Sequence, residues 1–515
     1  MNMMGNLKTM TKDQVMRAMI ELTAHVSPET FLKLITLAAK IPESPVMRAR
    51  VEKVRDHLMK GEDDPATRLF HRVLTELSPR CLKTFSRTLF LRGLLDAANV
   101  RDAFHAEHGF MPPFTLLISP TMRCNLRCTG CYSGKYVQEK GLPYELLDRV
   151  IGEARDMGTR FIVFSGGEPL TRKADLFRLA KVYQKDMYFM LYTNSTLIDD
   201  ETADEIADLG NIGAIISLEG FEEATDARRG PGVYQHVMDA MDRLKTRGVP
   251  FGTSLTVTSG NVKDITDDAF IGHLYEKGIM VAWYFLFMPV GKDPDTSLMP
   301  SPEQREYLRV RGLELRKKFP VFIADFWNDA PHVGGCIAGG RNYFHINAQG
   351  DVEPCVFCHT TVDSIYDNSV TEVLTSEFFQ KIRSYQPHSE NMLAPCMIID
   401  NPHIYREVVQ SAGARPTHDG ADDLLTTLPD WLDGYSDQVH QYLDPIWQQE
   451  KGSYGYTNET QPADQGNGNG SPAESVDSFQ AVPLSPDNGN GNGTGRQPLK
   501  ERTSRVLVNT ASVDT

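Results

Sequence analysis

Seven of the eight cysteines in this 515-residue chain fall in two groups. In a reducing compartment, clustered cysteines signal metal more often than disulfides. The first group is Cys124, Cys128 and Cys131, in the run Met122-Arg-Cys-Asn-Leu-Arg-Cys-Thr-Gly-Cys-Tyr132, with C-x3-C-x2-C spacing. Three thiolates can hold three irons of a 4Fe-4S cluster and leave the fourth open to a small molecule. A structural zinc wants four ligands, usually in pairs, and no fourth Cys or His lies nearby in sequence. The second group is Cys336, Cys355, Cys358 and Cys396. Four thiolates saturate a 4Fe-4S cluster or make a closed zinc site, and spacing alone does not separate the two. His359 is a competing ligand, although four cysteines suffice. Cys81 stands alone among Leu and Phe and reads as a small buried side chain.

The elements that would aim these groups are legible between 114 and about 320. Strands read at 114–120, 160–165, 187–193, 212–218, 250–257 and 280–288. Helices read near 143–157, 173–184, 199–209, 233–247, 264–277 and 302–318. Six successive βα units imply a parallel sheet, wound open or as a partial barrel, with its reactive face at the carboxyl ends of the strands. Cys124 to Cys131 follow the first strand and Ser165-Gly-Gly-Glu-Pro169 the second. Thr193-Asn194 ends the third and Ser217-Leu-Glu219-Gly220 the fourth. Every polar or glycine-rich motif therefore lands on one rim.

These motifs, in this order, resemble the radical S-adenosylmethionine (radical SAM) superfamily over about residues 110 to 320. The resemblance implies an α/β fold, a partial (β/α)6 TIM-like barrel. It implies that Cys124, Cys128 and Cys131 ligate a 4Fe-4S cluster whose open iron binds the amino and carboxylate groups of SAM. An electron would then cleave SAM to methionine and a 5′-deoxyadenosyl radical, which attacks an unactivated C–H bond. Gly166-Gly167-Glu168-Pro169 matches the family's GGEP motif, implied to hold the SAM amino group. Ser217 and Glu219 match the pair implied to bind ribose hydroxyls, and Asn194 would line the same pocket. Arg229, in Arg228-Arg229-Gly230-Pro231, would pair with the SAM carboxylate. An aromatic residue often precedes the third cysteine in the family; here that position is Gly130, and Tyr132 follows the cysteine. An electron donor such as ferredoxin or flavodoxin is implied.

Cys336, thirteen residues, Gly350, four residues and Cys355 resemble the opening of SPASM and twitch auxiliary domains. Residues 341–355 read as a hairpin turning at Ala348-Gln-Gly-Asp351. Four cysteines fit the shorter, single-cluster twitch form, so the expectation is a second, auxiliary 4Fe-4S cluster. The expected domains are N-terminal helices (1–108), the radical SAM core (109–325), the auxiliary domain (326–400), C-terminal helices (401–452) and a disordered Gly/Asn-rich tail (453–515).

Bulk properties narrow the partners. A net charge of −15 disfavours a general nucleic-acid binder. The first residues carry no secretory pattern, and no apolar run reaches the length of a spanning helix, so a soluble, cytoplasmic protein is expected. The basic amphipathic stretch 68–92 would suit peripheral membrane contact, or an ordinary packing helix with a solvated basic face. The substrate is not written in the chain: a peptide, a protein or a small molecule all fit. The N-terminal hundred residues lack the strand alternation of a winged-helix peptide-recognition domain, and no cobalamin domain is evident. A membrane lipid or isoprenoid is the second reading, supported by the basic stretch and the apolar run Trp283-Tyr-Phe-Leu-Phe-Met-Pro289. The plainer reading of that run is a doubly buried strand. A third reading, of another class, is an iron-sulfur electron carrier or zinc scaffold without catalysis.

Overall fold

The computed structural model describes residues 63–133, 141–292 and 294–456, with isolated positions between 36 and 61. The helical pattern at 31–39, position 36 apart, and the tail beyond 456 lie outside the described residues.

Seven parallel strands run in chain order across one sheet: β1 (Thr115–Ile118), β2 (Phe161–Phe164), β3 (Tyr188–Thr193), β4 (Ile212–Leu218), β5 (Phe251–Val257), β6 (Val281–Leu286) and β7 (Phe322–Asp325). Helices between them cover the outer face. The result is an α/β fold built as a parallel, partial barrel. Side chains alternate as the two-residue strand period requires. On β6, Ala282, Tyr284 and Leu286 join the large core beneath the helices, while Val281, Trp283 and Phe285 face the barrel interior half-buried. The run is therefore not a strand buried on both faces. Strand β7 has no counterpart in the sequence reading. Its four residues sit between Pro320 and Trp327, too short a span to show alternation.

The sheet continues past β1. Strand β8 (His345–Ile346) pairs parallel with β1, placing Leu117 opposite His345, and β9 (Val352–Glu353) pairs antiparallel with β8. The cysteine-bearing hairpin is thus an extension of the barrel sheet. A buried polar line welds it there. Ser119 Oγ lies 2.7 Å from His345 Nε2, and His345 Nδ1 lies 2.6 Å from Glu353 Oε2. Asn347 Nδ2 and Thr417 Oγ1 donate to the other Glu353 oxygen. The Ser-His-Glu order looks like a hydrolase triad. All three residues are 0% exposed, so no substrate reaches them and the line is structural.

A second weld joins the Pro302–Lys318 helix to the last auxiliary cysteine. Arg305 Nη1 is 2.6 Å from Asp400 Oδ1, both side chains are fully buried, and Asp400 Oδ2 accepts from the Cys396 N–H. Removing one partner of such a pair strands a buried charge. Arg305→Ala is expected to cost about 3–5 kcal/mol, read as a fall in the urea midpoint, with Arg305→Met costing less. An unchanged midpoint in both variants would show that the pair carries no stability.

The basic stretch runs through three helical segments, Pro65–Glu76, Pro79–Phe85 and the π-helical Ser86–Asp96, with a break at Leu77-Ser78, where Ser78 Oγ caps the second by accepting from Cys81 N. Its cations turn inward. Arg72 donates to the Ile279 and Pro320 carbonyls, Arg68 to Lys318 O and Arg87 to Gln184 O. These carbonyls lie just before β6, β7 and β3, or at the helix leading to β7, so the helices close the amino-terminal end of the barrel. The basic residues offered for membrane contact are in large part spent on this packing. Cys81 is fully buried. Among the described residues no helix is long and apolar enough to cross a membrane.

Candidate active site

The loop after β1 carries the cysteine trio, and the Gly-Gly turn after β2 pins it. Ser165 N donates to Ile118 O at 3.0 Å, Gly167 N to Thr121 O at 3.0 Å, and Glu168 N to Arg123 O at 2.8 Å. A Cβ on Gly167 would stand 2.2 Å from Arg123 O, and one on Gly166, at φ +103°, 2.5 Å from Thr121 O. The sequence reading gave these glycines to ligand approach. In the structure their missing side chains admit the backbone of the cysteine loop.

Glu168 also serves the protein. Its Oε1 accepts from Leu170 N and Thr193 Oγ1, and its Oε2 from Asn194 N at 2.8 Å. Burial pushes this carboxyl up to about 7. Pro169 follows as the first residue of a short 3-10 turn. Glu168 thereby ties the turn after β2 to the end of β3 and sets Asn194. Asn194 Nδ2 donates to Asn125 Oδ1 at 2.9 Å and lies 3.7 Å from Cys124 Sγ, onto which Leu126 N also points at 3.4 Å. Asn194 therefore supports the first cysteine as well as the rim. Cys131 Sγ is 3.2 Å from Ser133 Oγ. Burial pushes the Cys124 thiol up to about 11. Donors aimed at sulfur suit the charged sulfurs of a ligated cluster.

The opposite wall is an ion-pair knot. Glu219 Oε1 accepts from Arg228 Nη1 at 2.7 Å and from Arg229 Nη2 at 2.6 Å. Arg228 also donates to Thr129 O, and Thr129 N donates to Arg228 O, so this arginine holds the cysteine loop. The sequence reading set Glu219 and Arg229 at opposite ends of SAM. The structure pairs them, because two cations and one carboxylate share a nearly dry site. Glu219 Oε2 is buried with no hydrogen-bond partner. An orphaned buried acceptor of this kind fits a ligand hydroxyl. Ser217 is half-buried on the inner face of β4, in register with Ser254 of β5.

Several residues escaped sequence reasoning. Ser195 adopts φ +59° and leaves a buried, unpartnered Oγ beside Asn194. Tyr132 OH bonds Ser165 Oγ at 2.8 Å, joining the trio to the turn after β2. The Phe287 ring fills the space beside Gly130, where a Cβ would meet it at 2.7 Å. An aromatic from the end of β6 thus stands where the family's aromatic would be. Gly291 packs on Tyr132 O, and Lys292 N donates to Cys131 O. No local pattern signals any of these contacts.

The second cysteine group comes together from three places in the chain, Cys355 and Cys358 sharing one turn. Burial pushes the Cys358 thiol well up, with Cys355, Cys396 and Cys336 adding to the effect. Tyr343 OH lies 2.9 Å from Cys355 Sγ, and Ile398 N points at Cys396 Sγ. His359 turns to Val356 O and His418 instead. Among the described residues, no three His, Cys, Asp or Glu side chains converge tightly enough to grip one metal ion. Four thiolates suit either a closed zinc site or a fully ligated 4Fe-4S cluster. Between the two cysteine groups, the Tyr132 ring meets Phe357 edge-on at 5.8 Å.

Residues 118–273 match the family model of the radical SAM superfamily, and residues 336–397 match SPASM, an iron-sulfur cluster-binding domain. The chain thus carries a radical SAM domain followed by a SPASM domain. The SPASM range takes in all four cysteines of the second group; the sequence reading preferred the shorter twitch form on cysteine count. The chain is 32% identical to Fe-coproporphyrin III synthase of Methanosarcina barkeri over 41% of its length and 56% of that protein's. It thus spans little more than half of that relative. It is 25% identical to an AdoMet-dependent heme synthase of the same organism, over 57% of its length and 89% of that protein's. With PqqA peptide cyclase of Granulibacter bethesdensis the identity is 24%, covering 57% and 81%. The solved structure of Streptococcus suis SuiB bound to S-adenosylmethionine shares the fold, with a TM-score of 0.50 and 17% identity over 64% of this chain and 86% of that one.

Proposed function

We propose that this enzyme binds SAM at a 4Fe-4S cluster held by Cys124, Cys128 and Cys131 and uses it to modify an unactivated C–H bond. When bound, cluster and SAM supply a 5′-deoxyadenosyl radical that takes a hydrogen atom from the substrate. The chain's own residues hold the geometry. Gly166 and Gly167 let the cysteine loop sit against the turn after β2, and Asn194 and the Leu126 N–H face Cys124. Arg228 and Arg229 hold Glu219 so that its free Oε2 accepts a ribose hydroxyl, with Ser217 and Ser195 beside the same rim. Cys336, Cys355, Cys358 and Cys396 hold the auxiliary 4Fe-4S cluster, fully ligated and so closed to SAM. The clustered cysteines favour a cytoplasmic setting, in which a ferredoxin- or flavodoxin-class donor supplies electrons.

The observation that carries this reading is the buried, unpartnered Glu219 Oε2 beside a loop of three cysteines. Glu219→Gln keeps the shape but loses the charge that holds both arginines. SAM affinity, measured by equilibrium dialysis, is expected to fall by about 1.5–3 kcal/mol, with iron content unchanged. Unchanged affinity would place the hydroxyl partner elsewhere. The relatives' names point to a porphyrin in two cases and a peptide in another, so the substrate class must be argued from this chain's own residues.

A further inference from the structure

We propose that the barrel interior receives an uncharged hydrocarbon chain of the substrate, an inference that rests on the radical SAM reading above. Four large rings face the interior near the carboxyl ends of their strands: Tyr192 on β3, Trp283 and Phe285 on β6, and Phe326 just after β7. They form one wall. Tyr192 and Phe285 are 6.0 Å apart, Trp283 and Phe285 5.8 Å, Trp283 and Phe326 5.6 Å, and Phe285 and Phe326 5.0 Å between ring centroids. All four remain half-buried, whereas Tyr284 and Leu286, on the other face of β6, are 1% and 2% exposed. A continuous apolar wall left partly open inside a barrel needs an apolar cover. It stands directly beneath the rim that carries the cysteine trio and Glu219, where the substrate must be when hydrogen is abstracted.

Charge decides the occupant. No inward position on β1 to β7 carries a charged side chain; they are Thr, Leu, Phe, Val, Tyr, Met, Gly, Ile, Ser, Trp and Ala. A carboxylated macrocycle would enter without a counter-ion, at a heavy desolvation cost. A peptide would bring many N–H and C=O groups, and the wall of four rings offers only the Tyr192 hydroxyl and the Trp283 indole N–H to pair with them. A hydrocarbon chain has neither need. Its polar or charged end stays at the rim.

The test uses the holoenzyme with both clusters and SAM, and a photoreactive hexadecane carrying an uncharged diazirine. After irradiation, peptide mass spectrometry should place the label within 188–193 and 281–289. Trp283→Ala and Phe326→Ala, with SAM binding retained, should each cut labelling about tenfold or more. Label confined to the outer surface, or undiminished in both variants, overturns the inference. Competition on the unaltered enzyme keeps the test sound if a variant fails to fold. Unlabelled hexadecane should displace the probe, whereas displacement by Fe-coproporphyrin III or a short peptide, without displacement by hexadecane, overturns it. Assay of 5′-deoxyadenosine in the same sample separates the two claims. Its formation without interior labelling sinks the hydrocarbon chain alone; interior labelling without it sinks the radical reading.

Discussion

Replacing Cys124, Cys128 and Cys131 together by alanine is expected to leave about four of about eight irons per chain and no measurable SAM cleavage. The trio is proposed to supply every protein ligand of one cluster, so nothing in its loop can hold iron once the three sulfurs are gone. The auxiliary cysteines sit on a different part of the sheet, welded by His345 and Glu353 and by Arg305 and Asp400. They should keep their cluster. The complementary change, Cys355→Ala with Cys358→Ala, should also halve the iron, but spare the first site and part of the SAM cleavage. Iron analysis after anaerobic reconstitution reads both variants. Full iron content in the triple variant would remove the first cluster from these cysteines. One zinc per chain, lost in the double variant with iron unchanged, would make the second group a structural zinc site.

Gly167→Ala is the smallest change expected to have a large effect. The added carbon would lie 2.2 Å from Arg123 O and 2.6 Å from Met122 O, both backbone atoms of the cysteine loop. Backbone cannot rotate away as a flexible side chain can. The turn and the loop must part by about an ångström or more, and the hydrogen bonds from Gly167 N and Glu168 N go with them. A displacement of that size near the chemistry costs about a hundredfold in rate. 5′-Deoxyadenosine formation should fall by at least that factor, while the auxiliary cluster stays loaded. Wild-type turnover in Gly167→Ala would mean that the loop tolerates the separation and that the turn does not position it.

How much of this was legible depends on how far apart the partners lie in the chain. Six parallel strands and their helices follow from alternation within windows of a few residues, and each appears within about two residues of its expected place except 264–277, which is a 3-10 turn at Asp264–Thr266 and then a helix over Asp268–Lys277. Cys124, Cys128 and Cys131 are visible because a single loop supplies all three. Strand β7 was too short to show a period. The pairing of β8 with β1 joins residues more than two hundred positions apart, and nothing local announces it. The same holds for Glu219 with Arg228 and Arg229: their types suggested separate ligand contacts, whereas a shared buried site makes them partners first. Gly166 and Gly167 were recognised as a motif, but their neighbours, the Thr121 and Arg123 carbonyls, come from another strand's loop. Phe287 beside Gly130 shows the same limit, an aromatic supplied from β6 to a site whose own loop lacks one.

The central claim is that this chain cleaves SAM reductively at the cluster held by its cysteine trio. The most direct measurement is the yield of 5′-deoxyadenosine from anaerobically reconstituted protein, given SAM and a strong reductant and followed by liquid chromatography and mass spectrometry. The account predicts 5′-deoxyadenosine and methionine in equal amounts, absent when reductant is omitted and absent in the triple cysteine variant. No 5′-deoxyadenosine from protein that carries about eight irons and binds SAM would contradict it.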